Sequence, residues 1–301
     1  MQAPRVVRRV IELQALSDAE RTHGRRLALV PTMGALHDGH LALVEAARRR
    51  AETVVVSIFV NPTQFGPGED LDRYPRTWQE DLAACAAAGV DAVFAPAAEE
   101  IYPDGDQTRV EVTELTRPLC GETRPGHFLG VTTVVAKLLV AARPQLAVFG
   151  EKDFQQLAAV RRLVRDLRFD VEIVGVPIVR EADGLALSSR NALLDPALRG
   201  EARALVRALT TAERAVAGGE RSSARLLAIA HLELAKARRG RIDYAELRDP
   251  HTLEPAPERL VGEALLALAV RFPARGEDPR ASVRLIDNRV LCPPPGTEEK
   301  P

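Results

Sequence analysis

At 301 residues, 46% of them hydrophobic and 28% charged, the chain has the make-up of a soluble globular protein with one large domain or two modest ones. Its formal net charge of -1 supplies no basic field, so no nucleic-acid partner is expected. Cys85, Cys120 and Cys292 are odd in number and far apart, with no ligand-spaced pair; this excludes a disulfide framework and points to a reducing compartment.

The N-terminal stretch MQAPRVVRRVIELQALSDAER is amphipathic and lacks the continuous apolar core of a signal peptide or a membrane span. Its Glu12, Asp18 and Glu20 argue against an organelle transit peptide, so a cytoplasmic protein with no membrane partner is expected. RLALV (26–30) reads as a buried strand, and LALVEAARRRA (41–51) as the body of a helix whose start carries His37 and His40. TVVVSIFV (53–60) is a β-branched strand, WQEDLAACAAAG (78–89) a helix closed by Gly89, and DAVFAP (91–96) a short strand. TTVVAKLLVAA (132–142) reads as a helix, LAVFG (146–150) as a strand, DFQQLAAVRRLVRDL (153–167) as a helix and VEIVGVPIV (171–179) as a strand. Alternation of this kind predicts an α/β domain, a Rossmann-like parallel sheet with helices on both faces.

Near Leu185 the texture changes, and a domain boundary is placed there, giving domains 1–185 and 186–301. Two Ala/Leu/Arg helices (196–219 and 222–240) precede three strand-like runs, IDYAELRD, EALLALAVRF and ASVRLIDNRVL, which predict a smaller α+β C-terminal domain. FPARGEDPRAS reads as an exposed hairpin loop, and the final CPPPGTEEKP as disordered.

In an open parallel sheet, ligands bind where strands end and helices begin. PTMGALHDGH (31–40), NPTQFGPGEDLDRYPRT (61–77), FGEKDFQQL (149–157) and READGLALSSRNALL (180–194) all stand at such positions. No GxxxxGK[ST] and no GxGxxG after the first strand is present, so phosphate would need other donors. His37 and His40, three residues apart, put both imidazoles on one face of a helix start, where free N–H groups and the dipole favour anions. Gly39 would let a nucleotide lie against the backbone. Two other readings stay open on these residues alone: plain capping or surface histidines, and a zinc site, which lacks a third ligand at suitable spacing. Only four of the 41 basic residues are lysines, so Lys152 inside GEKD stands out, as does Met33, the only methionine after the first. Gln64 and the Gln155–Gln156 pair read equally as loop and helix surface.

Taken in order, PTMGALHDGH, SIFVNPTQF, RPGHFLGV, FGEKDFQQL, VGVPIVREADGLALSSRN and LIDN strongly resemble the pantothenate synthetase (pantoate–β-alanine ligase) family, over roughly residues 5 to 291. HDGH is similar to the HxGH signature of nucleotidyltransferases, and LSSR to the phosphate loop opposite it. The resemblance implies ATP-dependent ligation of pantoate and β-alanine through a pantoyl adenylate, releasing pyrophosphate and AMP, with Mg2+ bridging the phosphates and no protein metal site. It implies His37, His40, Lys152 and Arg190 as catalytic groups, His40 matching the position assigned as proton donor. It implies an ATP site lined by Met33, Gly34, Ala35, Leu36, His37, Asp38, Gly39, His40, Gly150, Glu151, Lys152, Asp153, Val179, Leu187, Ser188, Ser189 and Arg190. Gln64 and Gln156 would hold pantoate, Gln64 would also meet β-alanine, and Asn61 is a candidate phosphate contact. A homodimer through the N-terminal domain, and a C-terminal domain acting as a lid, are further implications. The PARGEDPRA insertion (273–281) and the proline-rich tail depart from the family but touch no motif. Two rivals are a nucleotidyltransferase of the cytidylyltransferase type and a non-catalytic nucleotide sensor.

Overall fold

A computed structural model describes residues 3–66, 71–276 and 282–294. The chain forms two compact units, Met1–Val179 and Arg180–Pro301. The first contains β1 (Arg5–Val7), α1 (Val10–Thr22), β2 (Leu27–Thr32), α2 (Asp38–Arg48), β3 (Thr53–Ile58), α3 (Trp78–Ala87) and β4 (Ala92–Phe94). It continues with the one-turn helices α4 (Ala98–Ile101) and α5 (Cys120–Thr123), then α6 (His127–Ala142), β5 (Leu146–Gly150), α7 (Phe154–Leu167) and β6 (Glu172–Val176).

Its six strands form one all-parallel sheet in the order β1-β4-β3-β2-β5-β6. Side chains alternate across a strand, so continuous apolar runs require cover on both faces. Leu27, Leu29 and Val55 pack with Leu13 of α1, Val131 and Val135 of α6 and Leu157 of α7. Ala28, Val30, Val54 and Val56 pack with Leu43 and Val44 of α2 and Cys85 of α3. The connection after β2 thus lies on one face and the helix after β5 on the other. Strand order reverses between β2 and β5, the place in an open parallel sheet where the carboxyl ends of the strands form a binding crevice.

The second unit holds α8 (Arg199–Ala202), α9 (Ala204–Ala217), α10 (Ser223–Leu234), β7 (Arg241–Arg248), β8 (Ala264–Pro273) and β9 (Ser282–Leu291). The strands form an antiparallel sheet in the order β7-β8-β9. Leu205, Leu209 and Val216 of α9 and Leu226 and Leu234 of α10 cover Leu266, Leu268, Val270 and Phe272 of β8. Arg180 belongs to this unit because its guanidinium is bidentate to the buried Asp287 of β9, at 2.6 and 2.9 Å, and its backbone bridges Ala186. The expected hairpin loop falls partly on 277–281, and the expected disordered tail on 295–301; both ranges lie outside the described residues.

Three local differences from the sequence expectation have clear causes. β1, inside the stretch read as purely amphipathic, is three residues long, too short to show a period, and forms by pairing with β4. α2 starts at Asp38, so His37, expected within the first turn beside His40, instead caps the helix from just outside it. α6 starts at His127, not Thr132, because Gly126 at φ 82° turns the chain sharply into the helix.

Leu29 is fully buried between the flanking strands and the α1–α6 layer. Leu29→Ala is expected to lower stability by about 2–5 kcal/mol, the usual scale for a buried leucine truncation. Urea unfolding followed by circular dichroism measures this, and a loss under about 1 kcal/mol would contradict the packing described.

Candidate active site

β2 runs out at Thr32 into a turn in which Gly34 (φ 80°) and Ala35 (φ 49°) are both left-handed. The Thr32 hydroxyl accepts the Gly34 N–H and donates to the Ser57 carbonyl, tying the turn to β3. His37 then caps α2 in extended geometry, its Nδ1 accepting the Gly39 N–H at 3.1 Å. In return the His37 N–H donates to His40 Nδ1 at 3.3 Å. This is a capping box built from two imidazoles where hydroxyl and carboxylate side chains usually serve. The rings lie 4.1 Å apart between centroids, inclined at 34°.

These bonds decide the chemistry of both rings. With Nδ1 accepting, a neutral imidazole carries its proton on Nε2. The His40 pKa is pushed down to about 3, first by burial and then by the charges of His37 and Lys152, with Asp153 opposing. His40 is therefore a neutral Nε2–H donor at pH 7.

The sheet places the ends of β2, β3 and β5 side by side. Lys152 stands in a short 3-10 turn, Glu151–Asp153, between β5 and α7, near enough for its charge to act on His40. Gly150 lies beside Leu43 of α2. On the first turn of α7 the two glutamines separate by environment. Gln155 is buried and spends its amide on Cys120 N and on the Leu115 and Pro118 carbonyls, at 2.7–3.0 Å. Gln156 is half-buried, and no hydrogen bond of its side chain is seen among the described residues.

After β3, Asn61 and a 3-10 turn, Pro62–Gln64, present Gln64. Asn61 is 1% exposed. Its Nδ2 donates to Gln64 Oε1 at 3.1 Å and to the Gly130 carbonyl at 3.2 Å. Its Oδ1 accepts the hydroxyls of Thr63 and Tyr102. These bonds make Asn61 a brace for Gln64, and they turn Gln64 Nε2 toward Met33 Sδ at 3.2 Å.

The RPGHFLGV segment holds the Gln64 backbone. Arg124 approaches His127 Nε2 at 3.1 Å, while His127 Nδ1 meets the Gln64 carbonyl at 2.8 Å. Because guanidinium can only donate, His127 carries its proton on Nδ1 and donates it to that carbonyl. A Cβ on Gly130 would lie 2.3 Å from the Thr63 carbonyl oxygen, so only glycine lets α6 come this close. Sequence reading marked this segment without a role; Arg124, His127, Gly130 and Tyr102 are the residues it missed. The Pro125–Gly126 punctuation was the one local signal.

Met33–His40, Gln64, Gly150–Asp153 and Gln156 thus gather at the carboxyl edge of one sheet. Leu187–Arg190 stand on a loop of the second unit, where Ser188 Oγ accepts the Arg190 N–H and starts a 3-10 turn. Asn191 donates to Glu181 and to the Ala186 carbonyl. Arg199 pairs with Glu181 and Asp183 at 2.6 and 2.8 Å, and holds the Asp183 carboxyl below the usual range. Among the described residues no group of three His, Cys, Asp or Glu side chains could hold a metal ion, and no helix is long and apolar enough to cross a membrane.

Residues 5–290 match the family model described as Pantoate-beta-alanine ligase. The chain is 52% identical over 287 residues to the pantothenate synthetase of Geobacter sulfurreducens, covering 95% of this chain and 98% of that protein. It is 51% identical over 298 residues to that of Salinibacter ruber, covering 96% and 98%. A crystal structure of pantothenate synthetase from Thermus thermophilus superposes with a TM-score of 0.89 at 50% identity, covering 96% of this chain and 100% of that one. A pantoate-beta-alanine ligase from Francisella tularensis, complexed with beta-gamma ATP and beta-alanine, gives 0.75 at 32% identity, covering 96% and 98%.

A histidine held neutral makes stability depend on pH. The unfolded chain binds a proton at His40 near pH 6.5, the folded chain only near pH 3. Its contribution is complete above pH 6.5 and is lost progressively as pH falls toward 3. His40→Gln is expected to lose less melting temperature than the unsubstituted chain between pH 7 and pH 4.5. Equal losses in thermal melts at the two pH values would show that His40 is not held neutral.

Proposed function

Because the chain belongs to the pantoate-beta-alanine ligase family, it is an ATP-dependent ligase joining pantoate to β-alanine, and we propose that it works through a pantoyl adenylate with the residues gathered at the β2–β5 switch point. The observation that carries this reading is the two-imidazole capping box beside Lys152, which sets the neutral His40 N–H, the His37 ring and a lysine cation around a helix N-terminus.

Adenylyl transfer sends a pantoate carboxylate oxygen to the α-phosphorus of ATP and expels pyrophosphate. Charge shifts onto the leaving phosphates, and donors fixed beforehand stabilise it without reorganising. In this reading His37, His40 and Lys152 supply those donors from the first unit, and Ser188, Ser189 and Arg190 from the second, which serves as a lid. Met33 to His40, Gly150 to Asp153, Val179 and Leu187 to Arg190 line the ATP site, with Asp153 on the ribose hydroxyls. No carboxylate or imidazole cluster among the described residues would hold Mg2+, so it would enter with the nucleotide and would supply neutralisation of the phosphate charge. The amides of Gln64 and Gln156 hold pantoate by its hydroxyl and carboxylate; a neutral amide orients a nucleophilic carboxylate without quenching its charge. The amine of β-alanine, near Gln64, then attacks the acyl carbon, AMP leaves, and the ammonium so formed gives its proton to solvent. We place the protein in the cytoplasm as a homodimer through the first unit.

His40→Ala and Lys152→Ala are each expected to lower kcat about 100-fold or more, the scale of one preorganised donor. Folded His40→Ala with near-normal turnover would remove it from the phosphate site. Gln64→Ala is expected to act through pantoate, with a loss of about 1.5–3 kcal/mol in kcat/KM for pantoate and little change in nucleotide affinity.

Pantoate labelled with 18O in its carboxylate is expected to pass one labelled oxygen to AMP, with pyrophosphate forming before β-alanine is added. Label in inorganic phosphate, with ADP as co-product, would replace the adenylate by an acyl phosphate.

A further inference from the structure

We propose that Asp81, on the first turn of α3, is a positioning residue for adenylyl transfer: its carboxylate grips the turn between β2 and α2 and so sets where the His37 and His40 rings stand. The inference rests on the proposed phosphate site at those histidines.

Asp81 is 3% exposed, on a helix remote in sequence from the motif it touches. Its Oδ2 accepts the N–H of Ala35 at 3.0 Å and its Oδ1 accepts the N–H of Leu36 at 2.7 Å. The Thr77 hydroxyl stands 3.3 Å from Oδ1 and fixes the rotamer from below. Two successive left-handed residues, Gly34 and Ala35, precede these N–H groups. Such a concave run of backbone donors suits an anion, and here the protein fills it with its own carboxylate. The fit is close: a Cβ on Gly34 would fall 2.9 Å from Asp81 Oδ2 and 3.1 Å from Ile58 Cγ2.

The grip matters because the gripped turn runs straight into the capping box. Leu36 leads directly into His37, whose backbone N–H and Nδ1 make both halves of that box. Ala35 is an L-residue at φ 49°, a conformation the chain holds only under constraint. Without the carboxylate, two part-buried N–H groups lose their acceptor and the turn can relax toward an ordinary backbone. The cap residue, and with it both rings, then shifts. Displacement of a catalytic donor by about 1 Å is enough to cost on the order of 100-fold in rate. Asp81 therefore acts through the histidines while touching neither nucleotide nor pantoate.

Asp81→Asn is the informative variant, since it keeps shape and one acceptor but turns an N–H toward one of the two backbone donors. Pyrophosphate release on mixing ATP and pantoate without β-alanine is expected to fall at least about tenfold in Asp81→Asn, and further in Asp81→Ala. Amide exchange at Ala35 and Leu36 is expected to speed up while exchange in the core strands stays the same. The readout that a merely structural role would not move is coupling: in a His40→Ala background the effect of Asp81→Asn is expected to shrink to about twofold or less. An undiminished tenfold loss in that background, or no loss in the single variant, overturns the inference even if the site reading stands. Full activity of His40→Ala itself would instead bring down the phosphate-site reading, and this inference with it. Should Asp81→Ala fail to fold, the isosteric Asp81→Asn and its cycle with His40→Ala decide the matter.

Discussion

Two residue pairs, Ala28 with Leu146 and Leu29 with Ala147, join β2 to β5, and everything at the site depends on that short parallel seam. β2 already pairs along its whole length with β3 on its other edge. Parallel neighbours cannot be joined by a tight turn, so each strand hands on to a helix or loop lying over the sheet. Where the order reverses, those connections diverge to opposite faces and leave the strand ends uncovered. The turn after β2, the turn after β5 and the Asn61–Gln64 turn after β3 are therefore neighbours because their strands are. Residues far apart in sequence become one site without any specific contact having to pull them together.

Within that frame the polar groups fall into two kinds. Asn61 and Gln155 are buried amides whose hydrogen bonds are committed to the protein; they position others. Gln64 and Gln156 stand on the same turns one step further out. Buried polar groups need partners, and the interior provides them for the supporting residues first. A chain of contacts runs outward from this support: Tyr102 donates to Asn61, and Lys137, lying over the Tyr102 ring, is anchored by Asp106 and the Ile101 carbonyl. Two of the four lysines thus serve different ends, Lys137 in this scaffold and Lys152 at the edge of the crevice.

The second unit uses arginine for the corresponding task. Arg180 grips Asp287 with two parallel bonds, Arg199 spans Glu181 and Asp183, and Arg271 and Arg284 share the half-buried Asp243. A planar fork matched to a carboxylate fixes direction as well as distance. The Ser188–Arg190 loop accordingly starts from a backbone already pinned on both sides, by Arg180 before it and Asn191 after it.

Much of this was legible from residue order alone. The strong β-branched and alanine–leucine runs were long enough for their periods to specify strand or helix, and PTMGALHDGH, FGEKD and LSSRN hold most of the proposed site residues in contiguous stretches. A strand end followed by polar residues and a helix start is a local pattern, so the site's edge of the sheet could be read before any contact was known. What residue order could not decide is which partner each side chain has. Nothing near Gln155 and Gln156 says which one turns inward; helix phase against α5 and the 115–118 turn decides it. HDGH by itself shows only the neighbouring His37 as a reason for its second histidine to be neutral; the larger cause is burial, and Lys152 adds to it, brought close by the β2–β5 seam. RPGHFLGV was visible as a segment, but its hold on Gln64 needs α6 to land within van der Waals contact of the 62–64 turn. Local patterns report backbone preference and burial over a few residues, whereas hydrogen-bond partners and charge states are set by groups that only the folded sheet brings together.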